Sequence, residues 1–124
     1  MLSARNRFHG HGSLRYLFKN GDAVRSRYCT IKYIRNPRRT ASRFAVVVSK
    51  KVHKSAVGRN RIRRRIYEIM RERLPDIPKA YDISVIVTSG EMLGLEAPEL
   101  RQQLIGMLER AQLFDKLSSS GTIE

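Results

Sequence analysis

Between residues 57 and 74 the chain reads "VGRNRIRRRIYEIMRERL", and inside this basic run Ile62, Ile66 and Ile69 recur at the i, i+4 and i+7 spacing of one helical face. At roughly 100° per residue Met70 joins the edge of the same stripe. A disordered basic tail has no reason to keep isoleucines in register, so the run is a structured helix that must bury its stripe against a second layer. Ser55 is placed to cap its start and Pro75 to stop it.

The second layer is legible on both sides of the helix. "RFAVVVSKK" is a β-branched strand ending at Lys50 and Lys51, and "YDISVIVTS" is another strong strand. "RYCTIKYIR" alternates, with Cys29, Ile31 and Tyr33 pointing one way and Tyr28, Thr30 and Lys32 the other. A short helix "LRYLFKN", capped by Ser13 and ended by Gly21 in the left-handed region, puts Leu14, Leu17 and Phe18 on one face. The closing helix "APELRQQLIGMLERAQLF" turns Leu100, Leu104, Met107, Leu108 and Ala111 inward. Helix, strands, helix, strand, helix is the order of an α+β two-layer sandwich. At 124 residues the chain makes one domain, placed at residues 1–115, with an irregular basic arm over 1–12 and a frayed tail over 116–124.

Charge decides the kind of partner. Residues 1–75 carry 21 Lys and Arg against 3 Asp and Glu, whereas residues 76–124 carry 4 against 8. A half-chain of net +18 favours polyanions. No apolar run approaches the ~20 residues of a spanning helix and no signal-peptide pattern opens the chain, so nucleic acid is favoured over membrane and a cytoplasmic protein is expected. The single cysteine, Cys29, forms no internal disulfide and falls on an apolar strand face, where packing is its expected role.

The helical wheel divides the polar residues of the basic helix into two flanks. Arg61, Arg65, Glu68 and Glu72 fall together, so that arginines and carboxylates at i+3 and i+4 spacing neutralise one another. Asn60, Arg63, Arg64, Tyr67 and Arg71 form the other flank, with no acid among them, and this is the flank that seeks a partner. A guanidinium holds a phosphate through two parallel bonds and stacks on bases, and Asn60 donates and accepts at a base edge or a 2′-hydroxyl. Lys50 and Lys51 add point charges. These residues suit a folded RNA surface.

A nuclease site of the protein's own is not indicated. General acid–base chemistry or a carboxylate metal cage needs clustered acids, yet only Asp22, Glu68 and Glu72 lie in the basic part, and both glutamates are read as paired with arginine. His9 and His11 in "HGHG" lack a second ligand pair and belong to the arm. His53, alone in a loop, is expected to be solvated or to meet a phosphate.

The stretch "RFAVVVSKKVHKSAVGRNRIRRRIYEIMRERL" resembles the protein subunit of bacterial ribonuclease P. Arg59, Asn60, Arg61, Ile62, Arg63 and Arg64 match that family's R-N-R-hydrophobic-K/R-R signature, and Ser49, Lys50, Lys51, Ala56 and Val57 match the strand end and lead-in before it. Upstream, "RNRF" and "LRYLFKNG" are similar to the family's opening basic segment and first helix. The resemblance implies a mixed sheet whose basic helix lies in a left-handed βαβ crossover, against the general right-handed expectation. It implies an endoribonuclease subunit that acts in tRNA 5′ maturation, with catalysis and magnesium residing in the RNA subunit. Lys50, Lys51, Arg59, Asn60, Arg61, Arg63, Arg64, Tyr67 and Arg71 would then bind the catalytic RNA, and Leu14, Phe18, Tyr28 and Lys32 the single-stranded leader of precursor tRNA. The chain departs from the family at Tyr67, where another basic residue is often found, and at Lys32, near which an aromatic is expected. The rival reading is a small ribosomal or other structural RNA-binding protein.

Overall fold

The parallel pairing of two strands that are neighbours in space but separated in sequence by the basic helix organises this molecule. The computed structural model describes residues 11–39 and 41–113, with side chains from residue 15 onward. Its elements are α1 (His11–Asn20), β1 (Asp22–Arg25), β2 (Cys29–Arg35), β3 (Arg43–Val48), α2 (Ala56–Arg73), β4 (Tyr81–Val87) and α3 (Ala97–Arg110), with 3-10 turns at Leu74–Asp76 and Gly90–Gly94. The sheet order is β1-β2-β4-β3. β1 and β2, and β2 and β4, run antiparallel, and β3 lies parallel to β4 with Val46 opposite Val85. A parallel neighbour cannot be reached by a tight turn, and α2 supplies the crossover.

Alternation along each strand sorts the side chains between two faces. Cys29 and Ile31 of β2, Phe44, Val46 and Val48 of β3, and Ile83, Val85 and Val87 of β4 enter one cluster. Onto it pack Ile62, Ile66, Ile69 and Met70 of α2 together with Leu100, Leu104, Met107 and Leu108 of α3. The isoleucine stripe read from the sequence is therefore the contact between helix and sheet, each side chain contributing about 1.5–3 kcal/mol of burial. On the other face Leu17 of α1 packs with Ala45 and Ile34. Small residues on that face let α1 sit close to the strands.

Local chemistry sets the helix ends. Ser55 caps α2 as expected, its Oγ accepting from the backbone N–H of Val57 at 3.1 Å and of Gly58 at 3.3 Å. Pro75 follows the helix inside the Leu74–Asp76 turn. α3 ends at Arg110, and Gln112, just past its cap, has a φ of 61°, the one described non-glycine residue in the left-handed region.

Two expectations for α1 are corrected. The helix begins at His11, so Ser13 lies inside it rather than at its cap. Gly21 is not in the left-handed region; a Cβ there would lie 2.7 Å from the Leu17 carbonyl oxygen and 2.9 Å from that of Tyr33, so a close approach of backbones is what requires glycine. Strand β1 was not expected at all, being four residues long. The basic segment before residue 11, His9, the side chains of His11 and Leu14, and the 116–124 tail lie outside the described residues.

Candidate nucleic-acid interface

Lys50 and Lys51 sit exposed just past the end of β3, and a loop of four residues carries the chain back into α2. That loop is built from the basic signature itself. Arg59 turns its Nη1 back to donate to the carbonyls of His53 at 2.8 Å and Lys54 at 2.9 Å. His53 is half-buried and takes a structural part in the loop: its Nδ1 accepts from the Ser55 backbone N–H at 3.2 Å, and its ring lies where a Cβ on Gly58 would stand. The first arginine of the signature and the histidine before it thus fix the approach to the helix, and they bring Lys50 and Lys51 to its N-terminal end.

Along the helix, the acids are not distributed as the wheel implied. Glu68 does not pair with Arg61 or Arg65 but with Arg71, at 2.8 Å across i,i+3, so Arg71 leaves the acid-free set. The hydrogen bond and charge of Arg71 hold the Glu68 carboxyl below its usual range. Glu72 reaches off the helix to Arg101 of α3, which lowers its pKa likewise, and Arg73 pairs with Asp76 at 3.1 Å. Arg65 meets no acid among the described residues. Its guanidinium donates to the carbonyls of Met92 at 3.3 Å, of Leu93 at 2.8 Å and of Leu95, pinning the Gly90–Gly94 turn to α2.

Compensation therefore runs along α2 rather than around it. The C-terminal half is ion-paired, whereas among the described residues no carboxylate reaches Arg61, Arg63 or Arg64. Arg61 and Arg64 are exposed and have no partner among the described residues. Asn60 is spent in part on orientation, its Oδ1 accepting from Arg63 Nη1 at 2.5 Å. Tyr67 is half-buried, its ring 5.0 Å from that of Phe44, so one of its faces is used in packing.

Of the four residues assigned to the single-stranded segment, the Leu14 side chain lies outside the described residues, and the other three separate. Phe18 is 39% exposed beside α1's buried Leu17, and Lys32 projects from β2 to meet it, donating to the Phe18 carbonyl at 2.7 Å with its ammonium 6.0 Å from the ring centroid. A cation at the last carbonyls of a helix is well placed, and Lys32 keeps further N–H donors for a phosphate. Tyr28 is not brought to this pair. It lies in the turn before β2, packs against the cluster under α2 and α3, and has Arg27 5.6 Å from its ring centroid. The strand alternation that assigned Tyr28 to the Lys32 side fails because the strand begins only at Cys29.

Cys29 is buried as expected, its Sγ 3.6 Å from Met107 Sδ, and burial pushes its thiol up to about 11. Sequence reasoning missed a second polar feature on the α1 side. Arg43 forks onto Asp82, Nε to Oδ1 at 2.9 Å and Nη2 to Oδ2 at 2.8 Å, and Asn36 adds a third bond at 2.9 Å. The only signal was a charged residue at the start of each of two otherwise apolar strands. Among the described residues no three His, Cys, Asp or Glu side chains converge as a metal site, so the described side chains do not fit a magnesium cage. No described helix is long and apolar enough to cross a membrane.

A family model for Ribonuclease P matches residues 2–112. The ribonuclease P protein component of Pseudanabaena sp. is 35% identical over 89 residues, covering 72% of this chain and 77% of the relative. The ribonuclease P protein of Staphylococcus aureus superposes with a TM-score of 0.79 at 26% identity, covering 89% of this chain and 98% of the other. That of Thermotoga maritima gives 0.74 at 27% identity over 84% and 96% of the two chains. Fold, basic signature and the extent of these matches agree, and the chain belongs to the ribonuclease P protein family.

Proposed function

We propose that this chain, as the protein component of ribonuclease P, binds the catalytic RNA through the N-terminal half of α2 with Lys50 and Lys51, and holds the 5′ leader of precursor tRNA beside Phe18 and Lys32. The RNA subunit and its magnesium carry out the hydrolysis, and the complex works in the cytoplasm. The observation that carries this reading is the pair Arg61 and Arg64, exposed and without a partner among the described residues, on a helix whose other arginines are tied down within the protein. Each such guanidinium is free to take a phosphate through two bonds, while Arg59 and Arg65 hold the helix and its loops still. On the other face, an exposed ring with an ammonium over it gives an unpaired base a stacking platform and its phosphate a counter-charge.

Reconstitution tests the reading. With ribonuclease P RNA at low magnesium, the protein is expected to stimulate removal of the leader from precursor tRNA, and Phe18→Ala to weaken binding of leader-bearing precursor but not of mature tRNA. Absence of any stimulation overturns the assignment to the holoenzyme; equal loss on both substrates overturns the role of Phe18.

A further inference from the structure

Tyr16 and Phe18 leave α1 on opposite sides of the buried Leu17, so the helix has a second flank, turned away from Lys32. Here an open groove of about 490 Å³ runs between α1 and the turn that joins β2 to β3. Its wall on the helix side is Tyr16, whose side chain is 60% exposed. Its apolar floor is Ile34 and Pro37, and Arg35 and Arg38 close it from the turn. Both arginines are exposed, and neither guanidinium has a partner among the described residues.

The one carboxylate in this groove is silenced. Asp82 is saturated by the fork of Arg43 and by Asn36, and it keeps only 9% side-chain exposure. The same network braces the turn: Asn36 Oδ1 accepts from the Arg38 backbone N–H at 3.2 Å, and the Asn36 N–H donates to the Ala80 carbonyl at 2.9 Å. The groove thus offers an exposed aromatic face, two unspent guanidiniums on a braced turn and no free acid. Packing does not need Tyr16, and charge balance within the protein does not need Arg35 or Arg38.

We infer that this groove is a second single-strand RNA site, which takes one unpaired nucleotide by stacking its base on Tyr16 and binding the flanking phosphates with Arg35 and Arg38. Rings and guanidiniums in one groove are the elements by which proteins hold unpaired nucleotides without reading their sequence. The site is separate from the Phe18 and Lys32 pair, and α1 lies between them. Its nucleotide comes either from the leader of the precursor or from an unpaired position of the ribonuclease P RNA.

Two measurements on the full chain distinguish these sources: assembly with ribonuclease P RNA alone, and binding of leader-bearing precursor and mature tRNA by the assembled holoenzyme. Tyr16→Ala is expected to weaken one of them about tenfold and Tyr16→Phe to leave it intact, because stacking needs the ring and not the hydroxyl. The double variant Arg35→Ala with Arg38→Ala should lower the log-log salt slope of the same step by about 1.4, about 0.7 for each single-strand phosphate contact. Loss confined to leader-bearing precursor identifies the leader; loss in assembly identifies the catalytic RNA. Either supports the site. Unchanged affinity in every arm overturns it, as does a Tyr16→Ala loss accompanied by a fall in melting temperature, which would make the ring structural. Because Phe18→Ala reports on the other flank, failure of that variant leaves this outcome readable.

Discussion

Three single substitutions on one helix test whether its charge is arranged along the axis. Arg61→Ala, Arg64→Ala and Arg65→Ala each remove one positive charge from the same two turns, so a diffuse basic patch would respond to all three alike. The structure separates them. Arg61 and Arg64 are exposed and unpartnered among the described residues, so each loss should lower the log-log salt slope for binding ribonuclease P RNA by roughly 0.7–0.9, about one phosphate contact. Removing either side chain leaves no donor or acceptor stranded, so stability should stay within about 0.5 kcal/mol. Arg65 holds three carbonyls of the segment around the Gly90–Gly94 turn. Charged hydrogen bonds of this kind contribute about 1.5–3 kcal/mol, so Arg65→Ala should lower the melting temperature by roughly 6–10 °C while changing the slope little. The assays are salt-dependent filter or fluorescence binding and thermal denaturation of the free protein. Equal slope changes for Arg64 and Arg65 would defeat the partition. A silent Arg61 would restore the division around the helix that its spacing from Glu68 first implied.

Ile66→Asp places a carboxylate in the fully buried stripe and costs several kcal/mol; circular dichroism without RNA should show an unfolded chain, and a folded one would mean the stripe is not the docking face. Gly58→Ala sets a Cβ 2.2 Å from His53 Cε1 and should be neutral or destabilising in the wild-type background. With His53→Ala already in place it should stabilise by about 1 kcal/mol, the helix propensity difference, and additivity in denaturant titrations would show that the contact is absent. Cys29, raised from 9.0 to about 11 by burial, favours the neutral thiol when folded. Its contribution is fully present below pH 9 and is lost as pH rises through about 11. Alkylation at pH 8 should therefore be slow until denaturant is added, and rapid labelling of the native protein would refute the burial.

Most of the fold was legible because periodicity reports burial directly. The stripe Ile62, Ile66, Ile69, Met70 and the alternation of Cys29, Ile31 and Tyr33 each have one physical cause, and the structure follows them. Ser55 and Pro75 were legible because caps and stops depend on residues a few positions away. Pairing choices were not. Glu68 has arginines at both i−3 and i+3, and nothing in the spacing says that it selects Arg71. Glu72 and Arg65 find partners 29 and 27–30 positions away, which depend on where α3 and the turn before it dock. Tyr28 was misplaced by starting the strand two residues early, at Arg27, which carried the alternation into the turn before Cys29. The basic run was thus legible as a helix with a buried stripe, while the pairing among its charged side chains belonged to the tertiary fold.

That division has an energetic consequence at the start of α2. A helix N-terminus carries a partial positive charge and is stabilised by acids in its first turn, yet α2 has none there and places arginines immediately after. The free protein therefore places like charge at the positive end of the helix dipole, which a polyanion bound there would relieve. Val57, 69% exposed in that first turn, allows the two sides of this balance to be separated without touching an arginine. Val57→Glu should stabilise the free protein by about 0.3–1 kcal/mol through the helix dipole, visible as a higher denaturation midpoint at unchanged m-value. The same carboxylate would sit beside the phosphates that Arg61 and Arg64 are proposed to bind, so affinity for ribonuclease P RNA should fall, and most steeply at low salt, where screening is weakest. A variant that gains stability and keeps full affinity at low salt would place the RNA away from this end of the helix. One that loses both would mean that Val57, despite its exposure, supports the loop held by Arg59 and His53.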